Sequence, residues 1–240
     1  MRILILGGTT EAAALARALV AAGHEVTTSL AGRTRAPGAL MGSMRTGGFG
    51  GPEGLVTYME SERIEALIDA THPFAARISA NTANAVRMRT TSCLVLVRPA
   101  WIPQPGDRWT CVDGIPAAAE AVPTGARAFL AIGRQELAPF AARADAWFLI
   151  RSVEPPDGPL PPHHAVVTAR GPFRPEDEEA LLRTHRVDVL VAKNSGGDDA
   201  KLAAARRLGL PVILVNRPAP PPGERVGTVE EAVAWLERLG

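Results

Sequence analysis

Five times in this chain of 240 residues a short apolar run stops at a turn of small and polar residues, and a helical pattern takes over. The turns are Gly7-Gly8-Thr9-Thr10-Glu11, Asp69-Ala70-Thr71-His72-Pro73-Phe74, Gly133-Arg134-Gln135-Glu136, Arg170-Gly171-Pro172-Phe173 and Lys193-Asn194-Ser195-Gly196-Gly197. Such alternation marks βα units, in which parallel strands are joined by helices that cross back over the sheet. Ligands of open α/β sheets bind outside the carboxyl ends of the strands. The pattern predicts an α/β protein with mainly parallel sheets. Five such turns point to one large anionic ligand system held from several sides.

The spacing places strands at residues 2–6, 25–30, 66–70 and 93–97, and helices at 10–22, 52–62 and 75–89. The helix from Thr10 carries Ala13, Leu15, Ala16, Leu19 and Val20 on one side and ends at Gly23. Residues 98–107 are too rich in proline for a helix or a central strand. Beyond them the alternation resumes, with strands at 127–132, 146–151, 165–169, 187–192 and 211–215 and helices at 135–143, 175–185, 198–208 and 228–239. The expected organisation is two Rossmann-like lobes, residues 1–97 and 98–240, with a cleft between them. The final helix is free to pack on either lobe. Proline-rich residues 154–162 and 217–222 read as extended loops.

Composition narrows the class. Hydrophobic residues make up 46% and charged residues 21%, with a net charge of +1. That suits a soluble globular protein and gives no basic surplus for nucleic acid. The positive charge is carried by 24 Arg against two Lys, Lys193 and Lys201. A GC-rich genome explains such a bias, and so does a bidentate grip on carboxylates and phosphates. Cys93 and Cys111 form neither a disulfide framework nor a metal-binding spacing, and Cys93 opens an apolar run. His163 and His164 lack the spaced partners of a metal site, and His24 and His185 read as structural. The chain opens directly on a strand, with no basic-then-apolar leader and no segment long enough to span a bilayer. A cytoplasmic protein without metal is expected.

The first turn lies where a dinucleotide-binding loop would. Glycines allow the backbone close to a pyrophosphate, and the helix N-terminus offers free N–H groups. Adjacent Gly7 and Gly8 match the usual glycine fingerprint poorly, and the same string also reads as a tight turn capped by threonine. The end of the second strand normally selects the cofactor: an acid binds a ribose hydroxyl, whereas an Arg accommodates a 2′-phosphate. Here residues 29–35 hold no acid but include Arg33 and Arg35, which favours NADPH, with Arg33 as the first candidate. Gly47-Gly48-Phe49-Gly50-Gly51 suits a lid or a close approach to a nicotinamide. His72 lies at a strand end, where it either hydrogen-bonds the loop and cofactor or acts as an acid. Arg134, Arg170 and Lys193 lie at strand ends of the second half and suit a multi-carboxylate ligand, unless Glu136, Asp198 or Asp199 pair with them.

Taken together, several strings resemble the precorrin-6A reductase family over essentially the whole length. They are Ile5-Leu6-Gly7-Gly8-Thr9-Thr10-Glu11-Ala12, Gly48-Phe49-Gly50-Gly51, Asp69-Ala70-Thr71-His72-Pro73-Phe74-Ala75, Ile132-Gly133-Arg134-Gln135-Glu136-Leu137, Arg151-Ser152-Val153-Glu154-Pro155-Pro156, Arg170-Gly171-Pro172-Phe173 and Lys193-Asn194-Ser195-Gly196-Gly197. The resemblance implies NADPH-dependent reduction of precorrin-6A to precorrin-6B in cobalamin biosynthesis. Hydride would go to a ring-D double bond of the tetrapyrrole, with neither metal nor flavin required. On that reading Gly7, Gly8, Thr9 and Thr10 hold the pyrophosphate and Arg33 the 2′-phosphate. Gly48, Phe49, Thr71 and Pro73 contact the cofactor, and His72 stands near the nicotinamide as the catalytic candidate. Arg134, Arg170, Lys193, Asn194 and Ser195 meet the substrate carboxylates or the nicotinamide side of the cofactor. Channelling to neighbouring pathway enzymes is a further expectation. The rival readings are a cobalt-precorrin-6A reductase and a non-catalytic dinucleotide-binding redox sensor. A short-chain-type dehydrogenase is disfavoured, because Tyr58 is the only tyrosine and no Tyr-x-x-x-Lys pair exists.

Overall fold

The computed structural model describes residues 1–32 and 40–239. Its contacts divide the chain into two compact units. Met1–Pro99 forms the first together with the residues from Pro218 onward, and Ala100–Arg217 forms the second. The expected second lobe, 98–240, therefore loses its last stretch to the first.

In chain order the first unit begins with β1 (Arg2–Leu6), α1 (Thr10–Ala21), β2 (Glu25–Leu30), β3 (Ser43–Thr46), α2 (Pro52–Ser61), β4 (Ala66–Asp69), α3 (Ala76–Met88) and β5 (Ser92–Leu96). The second unit comprises β6 (Trp109–Val112), α4 (Ile115–Ala121), β7 (Arg127–Ala131), β8 (Trp147–Ser152), β9 (His164–Thr168), α5 (Pro175–Thr184), β10 (Val189–Lys193), α6 (Ala200–Arg207) and β11 (Val212–Val215). The chain then returns to complete the first unit with β12 (Glu224–Val226) and α7 (Val229–Glu237).

Each unit holds a six-stranded sheet, in the order β12-β5-β4-β1-β2-β3 and β6-β11-β10-β7-β8-β9. Every pairing is parallel. Counted from β1 and from β7, both sheets run in the doubly wound order 3-2-1-4-5, with a sixth strand beside the fifth. The direction of winding reverses between β1 and β4 in one sheet and between β7 and β10 in the other.

The central strands are apolar throughout because both faces are covered. Ile3 and Ile5 pack with Leu15, Leu19, Ile68, Trp235 and Leu236 under α1 and α7, while Leu4, Leu6 and Leu67 meet Leu55 and Met59 of α2 on the opposite face. In the second unit Phe129, Leu149, Leu190 and Leu214 pack with Leu182 and Leu202. Phe140 and Phe148 meet edge to face, with centroids 5.7 Å apart.

The departures from expectation lie mainly at sheet edges. β3, β6 and β12 did not stand out in the sequence because an edge strand needs no continuous apolar run, and most of their residues are partly or fully exposed. The short α4 was also missed, since seven residues show little period. The helix expected at 135–143 is two 3-10 turns, Arg134–Glu136 and Ala138–Phe140. Pro139 would fall inside that helix, where it removes a donor and clashes with the preceding turn.

Helix α7 is fixed by a capping box in which the Thr228 side chain accepts from Glu231 N–H and the Glu231 carboxylate accepts from Thr228 N–H. At its far end Trp235 Nε1 donates to Glu224 Oε2 of β12 at 2.9 Å. The Thr228→Ala variant is expected to lose about 1 kcal/mol of stability, and Thr228→Ser to retain it, as read from denaturant midpoints.

Candidate active site

At the end of β1 the chain turns through Gly7 and Gly8 into α1. Gly7 N–H donates to Ser29 O at 2.9 Å, and a Cβ on Gly7 would stand 2.8 Å from Thr28 Cγ2. Close packing against β2 thus requires glycine there. Gly8 has φ +113° and nothing within 4 Å of where a Cβ would be, so its backbone faces open space. Thr9 caps the helix: its Oγ1 accepts from Ala12 N–H at 3.1 Å and donates to Ala70 O at 2.8 Å. The hydroxyl proton expected to serve a phosphate is therefore already used, and Thr9 offers its backbone N–H instead. No hydrogen bond among the described residues engages the N–H groups of Gly8, Thr9 or Thr10. Unfilled donors at the start of a 12-residue helix are of the kind that suits an anion.

The adjoining turn leaves β4. Ala70 N–H donates to Leu6 O at 2.9 Å, so the two turns are stitched together where the winding reverses. Thr71 donates to Asp69 Oδ1 from its backbone N–H (3.1 Å) and its hydroxyl (2.7 Å). His72 Nδ1 accepts from Phe74 N–H at 3.2 Å, which places the proton of the neutral ring on Nε2. Pro73 lies between them, partly exposed.

The glycine loop after β3 is held from beneath. Arg45 donates to Ser29 Oγ (2.8 Å), Gly47 O (3.1 Å) and Gly48 O (3.2 Å), and its guanidinium lies 3.9 Å from the Phe49 ring centre. Phe49 also meets Tyr58 edge to face at 5.3 Å. A Cβ on Gly54 would fall 1.7 Å from Phe49 O, so the loop can seat on α2 only because residue 54 is glycine. Phe49 thus has protein partners, and these contacts anchor the loop. Glycine within a helical stretch was the available signal for Gly54; nothing in the sequence singled out Arg45. Arg33, expected to face the 2′-phosphate, lies outside the described residues, as does Arg35.

In the second unit the turns after β7, β8, β9 and β10 gather at the carboxyl end of that sheet. Arg134 pairs with Asp157 (2.8 Å) and Glu154 (3.3 Å), and Lys193 Nζ lies 2.6 Å from Glu136 Oε1. The charge expected to be offered to an anionic ligand is thus shared with local acids. Asn194 is likewise engaged: Oδ1 accepts from Trp101 N–H at 2.9 Å, Nδ2 donates to Trp101 O at 3.5 Å, and its carbonyl accepts from Arg217 Nε at 2.6 Å. Trp101 Nε1 donates to Gly197 O at 2.9 Å, closing a clamp on the Lys193–Gly197 turn. Ser195 N–H folds back onto Lys193 O at 2.7 Å. Arg170 is exposed. Its turn is seated by Phe173 against Arg151, whose guanidinium lies 3.9 Å from that ring and pairs with the buried Glu178. Arg151, Glu178 and Trp101 were not anticipated as supports. Gly133 opens only a 3-10 turn, so the turn after β7 lacks the long helix N-terminus that follows β1.

Among the described residues no group of three or more His, Cys, Asp or Glu is placed to hold a metal ion, and no helix is long and apolar enough to cross a membrane.

A doubly wound sheet with open helix N–H groups at its winding reversal is an architecture that binds anionic ligands, dinucleotides among them, at the strand ends. Residues 2–237 match the family described as Precorrin-6x reductase CbiJ/CobK. The chain is 51% identical to a precorrin-6A reductase of Rhodococcus erythropolis, covering 99% of this chain and 98% of that protein. It is 48% identical to the one from Rhodobacter capsulatus, covering 100% and 97%. A cobalt-precorrin-6A reductase of Priestia megaterium is 29% identical, covering 98% and 97%. The solved structure described as CobK precorrin-6A reductase superposes with a TM-score of 0.96 at 48% identity, covering 100% of this chain and 97% of that one. The chain belongs to the precorrin-6x reductase family and is a reductase of cobalamin biosynthesis.

Beside this site, burial and the charge of Asp69 push the Cys93 thiol up to about 12. Only the thiolate is nucleophilic, so Cys93 is expected to resist alkylation in the native protein near pH 8. Exposed Cys111 should label readily. Mass spectrometry before and after denaturation checks this.

Proposed function

We propose that the chain reduces precorrin-6A to precorrin-6B with NADPH. The observation that carries this reading is the 51% full-length identity to a precorrin-6A reductase, set against 29% to a cobalt-precorrin-6A reductase. The contrast favours the metal-free substrate. For the cofactor, the support is the open backbone of Gly8 and the free N–H groups opening α1, which fit a pyrophosphate. The dinucleotide is assigned to the first unit, because β7, which stands in the second sheet where β1 stands in the first, leads only into a 3-10 turn.

The nicotinamide supplies the hydride, and the protein's work is to bind, orient and manage charge. Gly7, Gly8, Thr9 and Thr10 hold the pyrophosphate through backbone N–H groups, and Arg33 binds the 2′-phosphate. Gly48, Thr71 and Pro73 line the cofactor, with Phe49 anchoring the loop that carries Gly48. His72 presents Nε2–H toward the nicotinamide region as the proposed catalytic group. Arg134, Arg170, Lys193, Asn194 and Ser195 meet the acetate and propionate arms of the tetrapyrrole. For Arg134 and Lys193 this means exchanging a local acid for a substrate carboxylate. Asn194 and Ser195 would meet these arms from a turn that the Asn194–Trp101 bonds hold in shape.

The test is anaerobic incubation with metal-free and cobalt-loaded precorrin-6A, following the tetrapyrrole spectrum and NADPH together. Coupled loss with the metal-free substrate is expected; turnover of the cobalt form alone would move the assignment to the cobalt-dependent reaction. Binding of NADPH with no turnover of either would favour a sensor. Arg33→Ala should erode the preference for NADPH over NADH by roughly tenfold or more, the size of one hydrogen bond to a charged group. An unchanged preference would remove Arg33 from the site.

A further inference from the structure

A buried carboxylate is unfavourable unless its lone pairs are met. Asp69 is 2% exposed and ends β4, beside β1 at the winding reversal of the first sheet. Strand alternation puts its side chain on the face of Leu67, with the cluster that includes Cys93, and away from the face of Ile68. Oδ1 takes both hydrogen bonds from Thr71, while Oδ2 is buried and has no partner among the described residues. An apolar residue would fill this place in the core at lower cost, and the bonds that the Asp69 carboxylate makes among the described residues are those to Thr71.

Those bonds are directional. Asp69 accepts only, so the Thr71 hydroxyl proton points inward. The Ser79 hydroxyl, 3.4 Å from Thr71 Oγ1, must then be the donor of that pair. Ser79, Thr71 and Asp69 form a one-way chain from α3 to the end of β4. It adjoins the bond by which Thr9 of the glycine turn holds Ala70 O. The turn carrying His72 is thereby tied on one side to the helix start and on the other to a buried charge.

We propose that Asp69 is a positioning residue for cofactor binding, acting through the Thr71 hydroxyl to fix the residue 71–74 turn beside the glycine turn. The proposal rests on the reading of the first unit as the NADPH-binding one.

A double-mutant cycle read on the NADPH dissociation constant tests it, using Asp69→Ala, Thr71→Val and the pair. Thr71→Val removes the hydroxyl and keeps the backbone bond. Each single variant should weaken NADPH about tenfold, the size of one hydrogen bond to a charged group, and the double variant should be little worse than either. Thr71→Ser should recover most of the loss. If Asp69→Ala does not fold, Asp69→Leu takes its place with the same expected outcomes, since it removes both acceptor oxygens while filling the core position. Additive losses, or lowered melting temperatures with unchanged NADPH affinity, would overturn the assignment and leave Asp69 a core residue. A wild-type protein that fails to bind NADPH would instead remove the cofactor reading itself, and this proposal with it.

Discussion

The first unit depends on the parallel pairing of β1 with β4. Leu6 lies level with Asp69, Ala70 N–H closes onto Leu6 O, and Thr9 Oγ1 reaches across to Ala70 O. Because the chain winds in opposite directions from these two strands, their following segments leave to different sides and open a space at the strand ends. The backbone of Gly8 faces it, and so do the N–H groups that α1 leaves unpaired. Gly7 makes the entry possible by lying flat against Thr28.

Much of what surrounds the strand ends is support. Arg45 carries the Gly47–Gly51 loop on its hydrogen bonds and under the Phe49 ring, and Gly54 makes room for that loop on α2. In the second unit Arg151 does similar work, holding Phe173 and so the turn that bears Arg170. Arginine suits both tasks because its planar cation can stack on a ring while its N–H groups stay bonded elsewhere. Part of the arginine in this chain is thus explained by internal structure, before any ligand is considered.

The second unit repeats the strand order of the first with different chemistry at its ends. A 3-10 turn replaces the long helix after β7, and Lys193 and Arg134 sit among Glu136, Glu154 and Asp157. Paired charges of this sort favour exchange over capture: an incoming carboxylate must compete with one already in place. The strand order is common to both units, while the assignment of roles follows from these local differences.

The sequence by itself determined the central strands, the turns that follow them and the family strings, because a strand buried on both faces must be apolar and a ligand-facing turn must be small or polar. It could not disclose β3, β6 or β12, whose place is decided by a neighbouring strand and not by their own pattern. The return of β12 and α7 to the first unit is likewise a tertiary result: β12 completes the edge beside β5, and α7 covers the apolar face beside α1. The same division runs through the site. The placing of Gly7, Gly8, Thr9 and His72 at the ends of β1 and β4 was legible from position alone. That Thr9 spends its hydroxyl on Ala70, that Asn194 binds Trp101, and that Asp69 turns the Thr71 proton inward were decided by partners distant in sequence or folded back in space, which no local pattern encodes.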